Sequence, residues 1–347
     1  MGKTYRVAIA GCGRMGTQHA VGYANEPRCR IVAVADPQQA RAAELLAASA
    51  PGAKVYADYR QMLAAERPDL VSLCLWTRLH LPAIRDCVEL GIPAVHCEKP
   101  MAPTWGAAQE IARLVRGSPT RLTFNHQRRF TPSYATAREL LRGGEFGRLE
   151  RIEAFIPDNI LDWGTHLVDL TFFYNGDVPA RWVMGQIDAR KVGRWFDVPF
   201  EFATEATIRF ENGVRAAVHS GDDKETRLAV RLTCTEGIIE PYGEIEMRTL
   251  RYGPAAGPAA GQWQHRQFEG GPADAGPAAM SALASHLIDT LESGQEPELS
   301  LDKALRASEA IFALYESSRR RARIDLPLTI ADNPFEAMLE RGEIGPG

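Results

Sequence analysis

Tyr5-Arg6-Val7-Ala8-Ile9-Ala10-Gly11-Cys12-Gly13-Arg14-Met15-Gly16 is a short apolar run followed at once by glycines in G-x-G-x-x-G spacing. Val7 to Ala10 has the length of a buried strand. Gly11 suits a tight turn, Gly13 lets backbone approach a pyrophosphate, and Gly16 lets the next helix pack against the strand. A helix starting there aims its unsatisfied N–H groups and positive dipole end at phosphates. Alone the motif is weak, because glycine-rich turns are common. Its surroundings strengthen it. A helical pattern runs from Arg14 to Tyr23, and a second strand, Ile31 to Ala35, ends in Asp36. Asp36 stands 20 residues beyond Gly16, the spacing of a carboxylate that holds the ribose hydroxyls of NAD. The plainer reading is a strand–turn–helix in which Asp36 caps the next helix.

The 347 residues allow two domains, at ~150 residues each. The chain is 45% hydrophobic and 24% charged, as a globular protein is. A net charge of -4 gives no field that would draw nucleic acid or an anionic membrane, so neither is expected as a partner. Cys12, Cys29, Cys74, Cys87, Cys97 and Cys234 form no C-x-x-C pair. Several sit in apolar strand patterns, as reduced core cysteines do, and a reducing cytoplasm is the expected location. The first apolar run is too short for a signal peptide. No stretch approaches the ~18 apolar residues of a membrane span. No His/Cys/Asp cluster has ligand spacing, so no metal is expected.

Outward from the glycines, strands and helices alternate. Helical patterns cover Gln38 to Ser49, Tyr59 to Glu66, Leu81 to Leu90 and Thr104 to Val115. Strands cover Lys54 to Tyr56, Leu70 to Leu75, Ala94 to Cys97 and Arg121 to Phe124. This repetition predicts a doubly wound parallel sheet over residues 1–123, with ligands at the carboxyl ends of its strands. Gly11, Asp36, Trp76 to His80 and Glu98-Lys99 all fall at such ends. Beyond residue 124 the pattern changes. Tyr134 to Leu141 and Asp162 to Tyr174 read as helices, the latter with Trp163, Leu167, Leu170 and Tyr174 on one face. Thr207 to Val218 reads as a hairpin turning at Asn212-Gly213. Residues 253–261 and 270–279 are Gly/Pro/Ala-rich loops, followed by helices over Met280 to Glu292 and Asp302 to Arg320. Residues 124–347 therefore read as an α+β domain with a mostly antiparallel sheet and helices on one face. The tail from Ala331 reads as a surface extension.

With these residues in place, the chain resembles the Gfo/Idh/MocA family of NAD(P)-dependent oxidoreductases over about residues 5–325. The carriers are Gly11 to Gly16, His80, Glu98-Lys99-Pro100, Arg129-Phe130 with Pro132, and Asp162-Trp163-Gly164-Thr165-His166. The Glu-Lys-Pro tripeptide at a strand end is fairly specific; with D-x-x-x-H downstream the combination is strong. The resemblance implies a Rossmann domain plus an open-sheet domain. It also implies hydride transfer at a secondary alcohol of a sugar, cyclitol or related polyol. Two departures bear on the substrate. Phe155 to Leu161 leads into the Asp/His segment without the family's longer stretch, and Leu75-Trp76-Thr77-Arg78-Leu79-His80 replaces its usual Thr-Pro-Asn type turn.

Individual groups follow from this frame. The Lys99 ammonium can hold a substrate hydroxyl and stabilise the alkoxide as hydride leaves; otherwise it is a surface lysine. Asp162 and His166 at i, i+4 share a helix face, so the carboxylate can orient an imidazole acting as general base. The alternative is a capping Asp and a core histidine. Gly11, Gly13, Arg14, Met15, Gly16, Asp36, Trp76, His80 and Glu98 are assigned to NAD, with NADP disfavoured because Pro37-Gln38-Gln39 offers no cation. His80 can instead cap its helix. Glu98 can position Lys99, contact the ribose, or form a plain ion pair. His126 and Arg129 join Lys99, Asp162 and His166 as substrate contacts, a structural salt bridge being the other reading of Arg129. Trp195, Phe196 and Asp197 sit in a loop that can shape a pocket, aromatic core packing being the favoured reading. The resulting expectation is an NAD-dependent dehydrogenase of a polyol or sugar, as a homodimer or homotetramer. Its rivals are an epimerase or glycoside-modifying enzyme that recycles bound NAD, and a non-catalytic dinucleotide sensor.

Overall fold

The computed structural model describes residues 2–195, 198–221, 228–243, 249–255, 260–268 and 277–345. Phe196, Asp197 and parts of both Gly/Pro/Ala-rich segments lie outside them. In chain order the first elements are β1 (Tyr5–Ala10), α1 (Arg14–Ala24), β2 (Cys29–Ala35), α2 (Gln39–Ser49) and β3 (Lys54–Tyr56). Next come α3 (Tyr59–Glu66), β4 (Leu70–Leu73), α4 (His80–Glu89), β5 (Ala94–Cys97), α5 (Trp105–Arg116) and β6 (Arg121–Phe124). The predicted strands and helices form, because near-continuous apolar runs such as Val7 to Ala10 are buried on both faces of a parallel sheet. All six strands pair parallel, in the order β3-β2-β1-β4-β5-β6.

The chain continues through α6 (Pro132–Gly143), β7 (Leu149–Ile156), α7 (Gly164–Tyr174), β8 (Ala180–Asp188), β9 (Gly193–Trp195) and β10 (Val198–Phe200). Then follow β11 (Ala203–Phe210), β12 (Arg215–Ser220), β13 (Leu228–Cys234), β14 (Gly237–Gly243), β15 (Thr249–Pro254) and β16 (Gln264–Gln267). The last elements are α8 (Pro277–Ser293), α9 (Leu301–Arg320), β17 (Ile324–Asp325) and α10 (Pro334–Glu340). Nine of these strands form one sheet, ordered β16-β15-β14-β13-β7-β12-β11-β8-β17. Its pairs are antiparallel except β7 with β12. The β11–β12 hairpin pairs Arg209 with Arg215 around Asn212-Gly213, as expected.

The described residues group into two compact units. One holds residues 2–103, 107–130 and 277–304; the other holds 104–106, 131–268 and 305–345. A single cut at residue 123 therefore does not describe the units. Residues 124–130 stay with the parallel sheet, and α8 returns to it. Leu283, Ala284, Leu287 and Ile288 of α8 share one core with Ala20, Tyr23 and Leu45. Burial of that apolar stripe outweighs chain order.

Within the nine-stranded sheet, one face carries Ile152, Ala154, Ala216, Val218, Ile208 and Val183, all buried. The other face carries Trp182, Met184, Phe155 and His219, with Met184 54% exposed and the Phe155 and His219 rings stacked 5.0 Å apart. Every residue of α7 is buried, not one face only. The tail corrects the expectation of a surface extension. Asn333 caps α10 by accepting the N–H groups of Phe335 and Glu336, and the buried Phe335 ring lies 5.5 Å from that of Tyr315. Among the described residues, no three His, Cys, Asp or Glu side chains group to hold a metal. No helix among them is long and apolar enough to cross a membrane.

Candidate functional site

The glycine segment joins β1 to α1. Gly11 has φ +92°, and a Cβ there would stand 2.1 Å from the Cys74 carbonyl oxygen. A Cβ on Gly16 would stand 1.9 Å from the Gly11 carbonyl oxygen. Both positions are closed to any side chain. At Gly13 the reverse holds, since nothing lies within 4 Å of an added Cβ. The bare backbone at the start of α1 thus faces open space, which fits the close approach of a pyrophosphate. Arg14 is exposed and Met15 half-buried on the same turn.

Asp36 follows β2. Its Oδ2 accepts the Cys12 N–H and its Oδ1 the Gln38 N–H, both at 2.8 Å. Each carboxylate oxygen keeps acceptor capacity beyond these bonds. The backbone of the glycine turn therefore orients the carboxylate assigned to the ribose.

Beneath this edge lies a polar cluster in which His19, on the inner face of α1, has no forecast role in the sequence. His19 Nε2 stands 2.8 Å from Glu98 Oε1, and its Nδ1 2.6 Å from Ser72 Oγ. Asn125 Nδ2 donates to the same Glu98 oxygen at 2.7 Å, and Glu98 Oε2 accepts the Lys99 N–H at 3.2 Å. Burial opposes charge on both His19 and Glu98, but each sustains the other. Cys74 and Glu98 beside His19 overcome burial and raise its pKa to about 10. His19, Lys99 and Asn125 overcome burial at Glu98 and lower it to about 2. Both shifts favour the ionised pair. Nearby His96 is neutral, lowered to about 3 by burial and by His19. Its Nδ1 lies 2.8 Å from the Thr123 hydroxyl, which itself donates to the Val95 carbonyl, so Nδ1 carries the hydrogen.

Three expectations change here. Glu98 is turned inward onto His19 and Asn125, away from a ribose contact. His80 is fully buried, with Nδ1 3.2 Å from the Met101 carbonyl and Nε2 3.0 Å from the Leu75 carbonyl. Burial lowers its pKa, and its ring ties the turn after β4 to the segment after β5 instead of meeting a dinucleotide. Arg129 is completely buried and forms an ion pair with Glu298 at 2.8 Å, which matches the structural reading and opposes substrate contact. Trp76, by contrast, is 51% exposed at the carboxyl end of β4. His126 is buried, and its carbonyl accepts the Arg129 N–H at 3.2 Å.

In the other unit, Asp162 and His166 are both buried. Asp162 does not share a helix turn with His166, because α7 starts at Gly164. It sits in a preceding turn built by Asn159, whose Oδ1 accepts the Asp162 N–H at 2.7 Å while its carbonyl accepts the Gly164 N–H at 2.8 Å. Buried Glu201 fastens that turn. One of its oxygens accepts the Ile160 N–H at 2.6 Å, the other the Tyr315 hydroxyl at 2.6 Å, and burial raises its pKa. Nothing in the residues around Glu201 announces this role.

Residues 5–126 match the Gfo/Idh/MocA model, described as an oxidoreductase family with an NAD-binding Rossmann fold. Over this segment the chain is similar to the Gfo/Idh/MocA oxidoreductases. It is 32% identical over 151 residues to inositol 2-dehydrogenase of Corynebacterium glutamicum (strain R), covering 43% of this chain and 44% of that protein. It is 30% identical over 194 residues to inositol 2-dehydrogenase 2 of Saccharopolyspora erythraea, covering 53% and 55%. The aligned stretches span about half the length of these curated relatives. Levoglucosan dehydrogenase, solved with NADH and levoglucosan, shares the fold at a TM-score of 0.81 and 18% identity, covering 94% of this chain and all of that one. The likeness to this structure concerns the fold alone. The Gfo/Idh/MocA match rests on the unit that carries the glycine turn, Asp36 and Lys99.

Proposed function

We propose that this protein is a dehydrogenase that oxidises a secondary hydroxyl of a sugar, cyclitol or related polyol with NAD. The observation that carries this reading is the bare, open backbone at Gly13 with the oriented Asp36 carboxylate and Lys99 on strand ends of the same parallel sheet. Relatives named for inositol support the polyol class. Gly11 to Gly16 and Asp36 hold the dinucleotide, which when bound supplies the hydride acceptor. The Lys99 ammonium donates a hydrogen bond to the substrate oxygen and stabilises negative charge developing there. His166 takes the hydroxyl proton, and Asp162 orients the imidazole. The test is reduction of NAD by purified protein across a panel of cyclitols, aldoses and glycosides, followed at the NADH absorbance. No reduction with any member overturns the reading.

Asp36 also sets cofactor choice. Its carboxylate is fixed by two backbone N–H groups and would face a 2′-phosphate with like charge. NAD is expected to bind at least ~10-fold tighter than NADP, a modest electrostatic discrimination of ~1.4 kcal/mol. Fluorescence titration with both cofactors measures it; equal or tighter NADP binding contradicts the role of Asp36.

Self-association through the second unit belongs to the same reading. The sheet face that carries Trp182, Phe155 and half-exposed Met184 is a candidate for an isologous contact. Sedimentation at micromolar concentration is expected to show a dimer or tetramer. A lone species at the 38.2 kDa chain mass rejects it.

A further inference from the structure

We propose that His19 and Glu98 are positioning residues for Lys99, an inference that rests on the dehydrogenase reading above. The order carboxylate, imidazole, hydroxyl in Glu98, His19 and Ser72, at 2.8 and 2.6 Å, has the connectivity of a nucleophilic triad. Ser72 is completely buried, so no substrate reaches its hydroxyl and the cluster performs no acyl chemistry. What it does perform is orientation. Glu98 Oε1 takes hydrogen bonds from two elements, His19 of α1 and Asn125 after β6. That fixes the carboxylate plane, and Oε2 then accepts the Lys99 N–H. The helix whose first turn faces the dinucleotide phosphates therefore also sets the backbone from which the Lys99 ammonium projects.

Stability alone does not account for the pair. Burying two charges costs several kcal/mol, and apolar side chains of equal volume are often as stable. A directed second oxygen is what apolar packing cannot provide. Loss of His19 leaves Glu98 as a buried charge without its cation. The carboxylate then rotates or takes up a proton, and the Lys99 backbone loses its reference. A displacement of ~1 Å at a reacting group can cost ~10²-fold in rate.

The test has two independent readouts. Amide hydrogen exchange at Lys99, read by NMR, reports the Glu98 contact whether or not any polyol is oxidised. Exchange is expected to quicken at least ~10-fold in His19→Ala and Glu98→Gln while β1 amides keep their protection. His19→Gln, which retains a donor toward Glu98, should restore most of it and guards against a variant that fails to fold. Unchanged Lys99 exchange in all three overturns the proposal. The second readout is a double-mutant cycle on kcat. Each single variant should lower kcat ~10–10²-fold with the NAD dissociation constant within ~3-fold. In a Lys99→Ala background the same changes should alter kcat less than ~2-fold, because the group they position is gone. Equal effects in both backgrounds, or NAD affinity falling as far as kcat, identify a structural role and overturn the proposal. Absence of NAD reduction by the wild-type protein overturns the dehydrogenase reading instead, and leaves the exchange result standing.

Discussion

Replacing Lys99 by alanine is expected to lower kcat for NAD-linked oxidation by ~10²–10³, the scale for one preorganised donor at developing oxyanion charge. Lys99 lies just past β5, with its N–H held by Glu98. Its own backbone is therefore placed before any substrate arrives, and no reorganisation is needed at the moment of reaction. NAD affinity should stay within ~3-fold, since the dinucleotide is assigned to Gly11 to Gly16 and Asp36, and lost transition-state contact appears in kcat. Lys99→Arg should recover little, because a planar guanidinium fork presents its donors in a different geometry from a compact ammonium. Steady-state kinetics with NAD saturating, beside a binding titration, decide the matter. A Lys99→Ala enzyme with kcat within twofold of wild type removes Lys99 from the chemistry.

The parts of this molecule that follow local rules were legible in its sequence. The glycine spacing, the apolar strands and Asp36 at a strand end each need only a few neighbouring residues, and the parallel sheet forms from those units. Pairings across long sequence separations were not legible. His19 lies three residues past Gly16, on the buried face of a predicted helix, which marks it as inward-facing; its partner Glu98 is 79 residues away. Arg129 finds Glu298 at a separation of 169, so a guanidinium that resembles an anion receptor in sequence is already spent. The return of α8 to the parallel sheet is the same effect on a larger scale. Its apolar stripe reads as an amphipathic helix of the second domain, and only the complementary surface of α1 decides otherwise. Asp162 shows a finer limit. The i, i+4 spacing to His166 is real, but Asn159 and Glu201 stabilise a turn there and delay the helix by two residues.

Replacing His166 by alanine is expected to cost ~10²–10⁴ in kcat, the range for loss of a general base. His166 is buried in the first turn of α7, and its N–H is accepted by the Trp163 carbonyl at 3.2 Å. The preceding turn is held by Asn159 and, through Ile160, by Glu201. The backbone that carries the imidazole is therefore placed before substrate arrives. Only the neutral ring accepts a proton, so oxidation by wild type should rise with pH as His166 deprotonates. The His166→Ala enzyme should lose that limb of the profile along with the rate. Asp162→Asn should cost less, because its carboxylate acts through the imidazole and touches no reacting atom in this scheme. The Asn159 contact uses the Asp162 backbone, so the turn should survive the change. Both variants should bind NAD as wild type does. The decisive measurement is the pH–rate profile of His166→Ala with NAD saturating. If the variant keeps the wild-type kcat and the same pH dependence, the proton goes elsewhere, and His126 or Lys99 is the next residue to replace.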